Sequence, residues 1–221
     1  MTRSTTRWAV AGCTALAALG AAAVIDVAPA TADPSSDVSS EAFDPVGDTL
    51  YQQDAAFQDF VRARLTKTAS GDFKLLMEMA VPVPAAPTLP PDGKSEIWWF
   101  WIFDLDPATR PKGYPWHESG SQNPDSGRPP EFIVCVSWDG VKFAGNAIDR
   151  RPILTGGEAI ITPVPFSIEG KIIKADLAFE LIGAVPASFH WGPFTMNWSG
   201  PVGTEGCRFA DYQEARAVFN P

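Results

Sequence analysis

The sequence predicts an all-β protein: an antiparallel two-sheet β-sandwich with long loops and a short C-terminal helix. Three observations lead there. Apolar residues recur with a period of two in several short segments, the pattern of strands with one buried face. Turn signals such as Asp139-Gly140 and Glu169-Gly170 separate those segments, as hairpins require. And 21 prolines among 221 residues leave no room for long helices, because proline removes a backbone donor and clashes with the preceding turn.

Taken in order, residues 33–43, "DPSSDVSSEAF", are rich in serine and aspartate and predict a flexible leader. "AFQDFVRARLTKT" places Phe60, Arg62 and Arg64 against Val61, Ala63 and Leu65. "GDFKLLMEMAVPV" follows a Ser-Gly-Asp turn, with Phe73, Leu75, Met77, Met79 and Val81 on one face, so the two segments predict a hairpin. A proline-rich connection over 82–94 leads into "EIWWFWIFDLDP". In that strand Ile97, Trp99, Trp101 and Phe103 share one face, and Trp98, Phe100 and Ile102 the other. A second long connection, 107–130, precedes "EFIVCVSWDGVKFAGNAID", where Asp139-Gly140 predicts a two-residue hairpin turn. Further strands are expected in "EAIITPVPFSI", "KIIKADLAFEL" and "SFHWGPFTMNWS", eight or nine in all. "DYQEARAVF" reads as the short C-terminal helix, and "AFELIGAV" permits another.

Residues 1–32 read as a secretory signal peptide. Arg3 and Arg7 precede an apolar run from Trp8 to Ile25, and Ala30-Thr31-Ala32 is a cleavage signal, with Asp33 as the first mature residue. The "VAGC" at Val10–Cys13 lies ahead of most of the apolar run, the wrong order for a lipid anchor. No other segment approaches the roughly 20 apolar residues of a membrane span. Cleavage removes Arg3, Arg7 and Asp26 and takes the net charge from −9 to −10. That balance disfavours nucleic acid or anionic membrane as a partner. It suits an extracellular, secreted monomer: one domain over 44–221, long enough to bury a core.

Two cysteines survive cleavage, Cys135 and Cys207, and in an exported protein they predict one disulfide. Asp44 and Asp48 flank a Pro-Val-Gly turn, and Asp54 and Asp59 follow before the first clear strand. Carboxylates gathered so can supply the oxygen ligands that calcium prefers; turn capping and plain surface acids account for the same spacing. Trp98, Trp99 and Trp101, with Tyr114 and Trp116 in the next loop, offer flat apolar faces on which sugar rings stack. The alternative is that the facing sheet and the long loops cover both sides of the strand.

The "D-P-x-G-D" of Asp44, Pro45, Gly47 and Asp48, the later Asp59, and the "D-x-D-P" of Asp104, Asp106 and Pro107 resemble the family 9 carbohydrate-binding modules and the DOMON-like extracellular sandwiches. The resemblance implies a sandwich with structural calcium held by some of Asp44, Asp48 and Asp59. It licenses no transfer of sugar-contacting residues, since 113–130 and 149–166 match no pattern of that family. Some DOMON-like domains bind haem b through methionine and histidine; Met77, Met79 and His190 are the residues to consider, though methionine on a strand is usually core filling.

Signatures of nucleophilic hydrolases, zinc peptidases and phosphate-binding loops are missing from the chain. Asp104, Asp106 and Glu131 are the carboxylates a glycosidase pair would draw on. Asp149, Arg150 and Arg151 read instead as a structural ion pair with Glu158 or Glu131. The expectation is therefore a secreted, non-catalytic binding module with structural calcium and an extracellular glycan as ligand, set against a protein-interaction sandwich with no sugar site.

Overall fold

A computed structural model of the chain describes residues 36–47, 56–89, 96–105, 130–198, 207–212 and 217–220. Twelve strands among them form two antiparallel sheets. The first has five strands: β1 (Val38–Phe43), β2 (Phe60–Lys67), β3 (Phe73–Met79), β8 (Phe166–Glu169) and β9 (Ile172–Leu177), in the order β1-β2-β3-β9-β8. The second contains β4 (Glu96–Asp104), β5 (Phe132–Trp138), β6 (Phe143–Asp149), β7 (Ile160–Pro163), β10 (Phe189–Trp198) and β11 (Cys207–Tyr212), ordered β11-β10-β4-β5-β6-β7, and β12 (Ala217–Phe219) also pairs with β10.

The core lies between the sheets and follows the alternation of the sequence. Phe73, Leu75, Met77 and Met79 of β3 face Ile97, Trp99, Trp101 and Phe103 of β4, all buried. Phe73 sits edge-on to Phe103, Phe189 and Phe219, with centroids 5.8–6.0 Å apart, the arrangement that aromatic quadrupoles favour. Trp99, Trp101 and Trp191 are fully buried, each removing enough apolar area for roughly 4–6 kcal/mol by transfer bookkeeping. Their indole N–H groups remain satisfied: Trp99 donates to the Phe57 carbonyl at 3.2 Å, Trp101 to the Leu76 carbonyl at 3.4 Å and Trp191 to the Ser40 hydroxyl at 2.9 Å.

Several local expectations change. The leader predicted over 33–43 includes β1, which pairs with β2 along Val38–Phe43 and buries Ala42. In β2 the register shifts between Phe60 and Arg62. Val61 is one residue more than β3 can match, a β-bulge, so Phe60 turns inward together with Ala63 and Leu65 instead of sharing the outer face with Arg62 and Arg64. The β5–β6 hairpin closes over four residues rather than two. Asp139 accepts from the backbone N–H groups of Val141 and Lys142, both at 2.8 Å, and these bonds hold its carboxyl below the usual aspartate range.

"EAIITPVPFSI" is two strands, not one. β7 belongs to the seven-stranded sheet and β8 to the other, and the chain changes layers at Val164-Pro165, where Val164 N–H bonds the Gly145 carbonyl at 3.0 Å. The α-helix among the described residues, α1 (Phe179–Ile182), lies in "AFELIGAV". "DYQEARAVF" carries the end of β11 and β12 in place of the expected C-terminal helix; pairing with β10 outweighs the weak local preference of Ala217–Phe219.

Candidate functional site

The tryptophan strand is a spine of the core. Trp99 and Trp101 are 0% exposed and face the five-stranded sheet, so the platform expected of them is not available to a ligand. Trp98 occupies the opposite face, half-buried, and its indole N–H donates to Glu96 at 2.8 Å. Around it Phe100, Ile102, Cys135, Phe194 and Met196 form a second, smaller apolar cluster, with Phe100 and Phe194 stacked at 5.4 Å. Tyr114 and Trp116 lie outside the described residues.

Cys135 in that cluster is a free, buried thiol, its pKa pushed up to about 12 by loss of solvation. The bridge to Cys207 is not formed. Cys207 pairs opposite Trp198 on β11, three strands from β5, about 14 Å at the usual strand spacing. A disulfide needs Cα atoms within about 7 Å. Sequence offered Cys135 and Cys207 but no sheet order, and the sheet order decides.

The acidic turn is partly assembled. Asp44 N–H bonds the Val61 carbonyl at 3.2 Å, and Gly47 N–H donates to the Asp59 carboxylate at 2.8 Å. Residues 44–47 thus wrap around Asp59, which is 4% exposed and stands just before the bulge. Gly47 takes φ +86°, and a β-carbon placed on it would meet nothing within 4 Å, so its role is the left-handed turn alone. Two carboxylates at one tight turn are hard oxygen donors of the kind calcium selects. Asp48 lies outside the described residues, and among the described residues no three His, Cys, Asp or Glu side chains gather as a metal-ligand group.

A polar row crosses the seven-stranded sheet where β4 ends. His190 on β10 is paired with Asp104, which is fully buried. Glu131, 5% exposed, accepts from Leu105 N–H at 2.9 Å, and its own carbonyl accepts from Arg150 N–H at 2.8 Å. That carboxylate is a clasp between the end of β4 and the start of β5. Beside it Arg151 and Asp149 form a two-pronged pair at 2.8 and 2.7 Å, and the guanidinium holds the Asp149 carboxyl below its ordinary range. The ion pair expected in "DRR" is therefore internal, Asp149 to Arg151. Met77 and Met79 point into the core from the five-stranded sheet, while His190 is on the far face of the other sheet with Asp104. The structure does not bring them together as haem ligands.

What sequence reading missed is the outer face of the five-stranded sheet. Cross-strand pairing sets Arg64, Leu76, Lys174 and Ser167 in one transverse row, and Thr66, Lys74 and Asp176 in the next. These rows line an open groove of about 440 Å³ that extends to Pro165 and Ser167 at the sheet edge. A second hollow of about 560 Å³ shares Lys74, Pro165 and Asp176 with it and adds Asp72, Thr162 and Glu180. Phe166 is 37% exposed and leans on Gly145 of the facing sheet. The available signal was the alternation itself: Arg62, Arg64, Thr66, Lys74, Lys174 and Asp176 all fall on the outward alternate positions of their strands, but only strand order shows that these sets adjoin. Comparison of the chain with family models, with curated proteins and with solved structures finds no match.

Proposed function

We propose that the chain is an exported, non-catalytic β-sandwich module that recognises an extracellular glycan on the outer face of its five-stranded sheet. The observation that carries this reading is the groove. It is shallow, broad and open to solvent, with hydroxyl, carboxylate and ammonium groups around the half-buried Leu76. Sugars present many hydroxyls on apolar C–H faces, so a ligand site for them combines convergent polar groups with an apolar floor. The leader at 1–32 supports export, and the turn at Asp44 and Asp59 supports a structural calcium ion held there, with Asp48 as the further donor.

A glycan array probed with the folded mature chain tests the proposal. Retention that disappears in Ser167→Trp, which fills the groove, is the expected result; retention on no sugar removes the reading. A protein-interaction module is the second reading, favoured by the edge strand β7. There Ile160 and Ile161 are 56% and 63% exposed, and an apolar edge is a template for strand addition.

A further inference from the structure

Resting on the glycan reading above, we infer that the groove is selective for an acidic polysaccharide, with uronate carboxylates seated among Arg64, Lys74 and Lys174. The chain as a whole is acidic, with a net charge of −9. The groove inverts that sign locally: its lining carries three cations and the single acid Asp176. Pairing fixes their arrangement. Arg64 and Lys174 flank Leu76 on the two neighbouring strands, and Lys74 lies two residues along β3 on the same face. Strand geometry puts Arg64 and Lys174 about 10 Å apart at Cα, with Lys74 about 7–8 Å from each. That is a triangle of positive charge around one apolar side chain.

The three cations are engaged to different degrees. Arg64 uses Nε on Glu41 at 2.6 Å, an oxygen that Arg62 also holds at 2.6 Å. Two guanidiniums on one carboxylate leave a net positive charge there. Lys174 meets Glu169 at 3.0 Å with both side chains largely exposed, a contact of small worth. Lys74 is exposed and has no ion-pair partner among the described residues. At the other end, past Asp176, the adjoining hollow is acidic through Asp72 and Glu180. A carboxylate ligand is therefore drawn to the triangle and repelled from the hollow, which fixes its placement. Thr66 and Ser167, half-buried on the same rows, are placed to bond sugar hydroxyls.

The test uses the mature chain in affinity electrophoresis against polygalacturonate, the same polymer fully methyl-esterified, and poly-glutamate. Retention on the acid polymer should exceed that on the ester at least tenfold and weaken between 20 and 500 mM NaCl, as exposed charge contacts do. Lys74→Gln should weaken it about threefold and Lys74→Gln with Lys174→Gln about tenfold, with Lys74→Arg restoring most of it. Unchanged near-ultraviolet circular dichroism certifies each variant as folded. Equal retention on ester and acid would overturn the charge selectivity and leave the glycan reading standing. Equal retention on poly-glutamate would overturn the sugar assignment. No retention on either pectic polymer, with neutral glycans bound on the array, would overturn this inference alone; no glycan bound anywhere would end both.

Discussion

Gly145 sits beside the segment that passes from one sheet to the other. A methyl group added there would come within 2.7 Å of Phe166 Cδ1 and 2.7 Å of the Val164 carbonyl oxygen, with Phe166 Cγ at 3.2 Å. The carbonyl belongs to the layer-changing segment, which is itself bonded to Gly145 through Val164 N–H at 3.0 Å. The ring can swing, being partly exposed; the carbonyl cannot retreat without loosening that bond. Overpacking of this kind costs about 1–3 kcal/mol. Gly145 is not among the glycines with positive φ, so alanine brings no backbone strain and recovers about 0.4–1 kcal/mol from the stiffer unfolded chain. Gly145→Ala should thus lose about 1–2 kcal/mol, lowering Tm by about 3–6 °C for a domain of this size. Urea melts of the mature chain, repeated in a Phe166→Ala background, check it. The two substitutions should couple by about 0.5–1 kcal/mol, because removing the ring removes one of the two clashes. A Gly145→Ala protein as stable as the parent, or two substitutions that simply add, would refute the close approach of the sheets at this corner.

Three further outcomes are expected. Chelation should lower Tm by about 3–5 °C from a buffer of ~1 mM calcium if the site binds near 0.1 mM, and Asp59→Asn should make the protein indifferent to chelator; an unchanged Tm in the parent discards the ion. The Asp149 carboxyl is held low by the Arg151 guanidinium, so the pair stabilises at neutral pH and its contribution fades as pH falls below the ordinary aspartate range of about 3.9. Asp149→Asn should cost about 0.5–1 kcal/mol at pH 7, discounted for the exposure of Arg151, and the gap should narrow in acid; a gap that widens there sinks the assignment. Native protein treated with iodoacetamide at pH 8 should show no adduct on the Cys135 peptide, whereas urea-unfolded protein should; a native adduct contradicts burial of the thiol.

The sandwich was legible because alternation survives in the residues that make the core. Phe73 to Met79 and Ile97 to Phe103 each put one side inside as their spacing foretells. Legibility failed where one residue or one proline alters the count. The bulge at Val61 moved Phe60 inward, and Val164-Pro165 divided one apolar run between two sheets. Sites failed for a different reason, since they depend on which strands adjoin. Cys135 and Cys207 are set apart, and Arg64, Lys74 and Lys174 brought together, by strand order, a non-local property no window of sequence contains. The tryptophans misled because bulk and planarity serve a core as well as a sugar.

Strand β2 also sets a rule for length variation. Losing one codon at position 61 would regularise the ladder and leave every side chain upstream on its present side, because Phe60 would then directly precede Arg62 and still lie opposite Met79. Phe60 would stay in the interior, and the carboxylate of Asp59, on which Gly47 hangs, would keep facing its loop. Losing one residue from the regular stretch, such as Arg64, would instead drive Arg62 inward and Ala63 outward. A one-residue deletion should accordingly be tolerated at Val61 and rejected at Arg64.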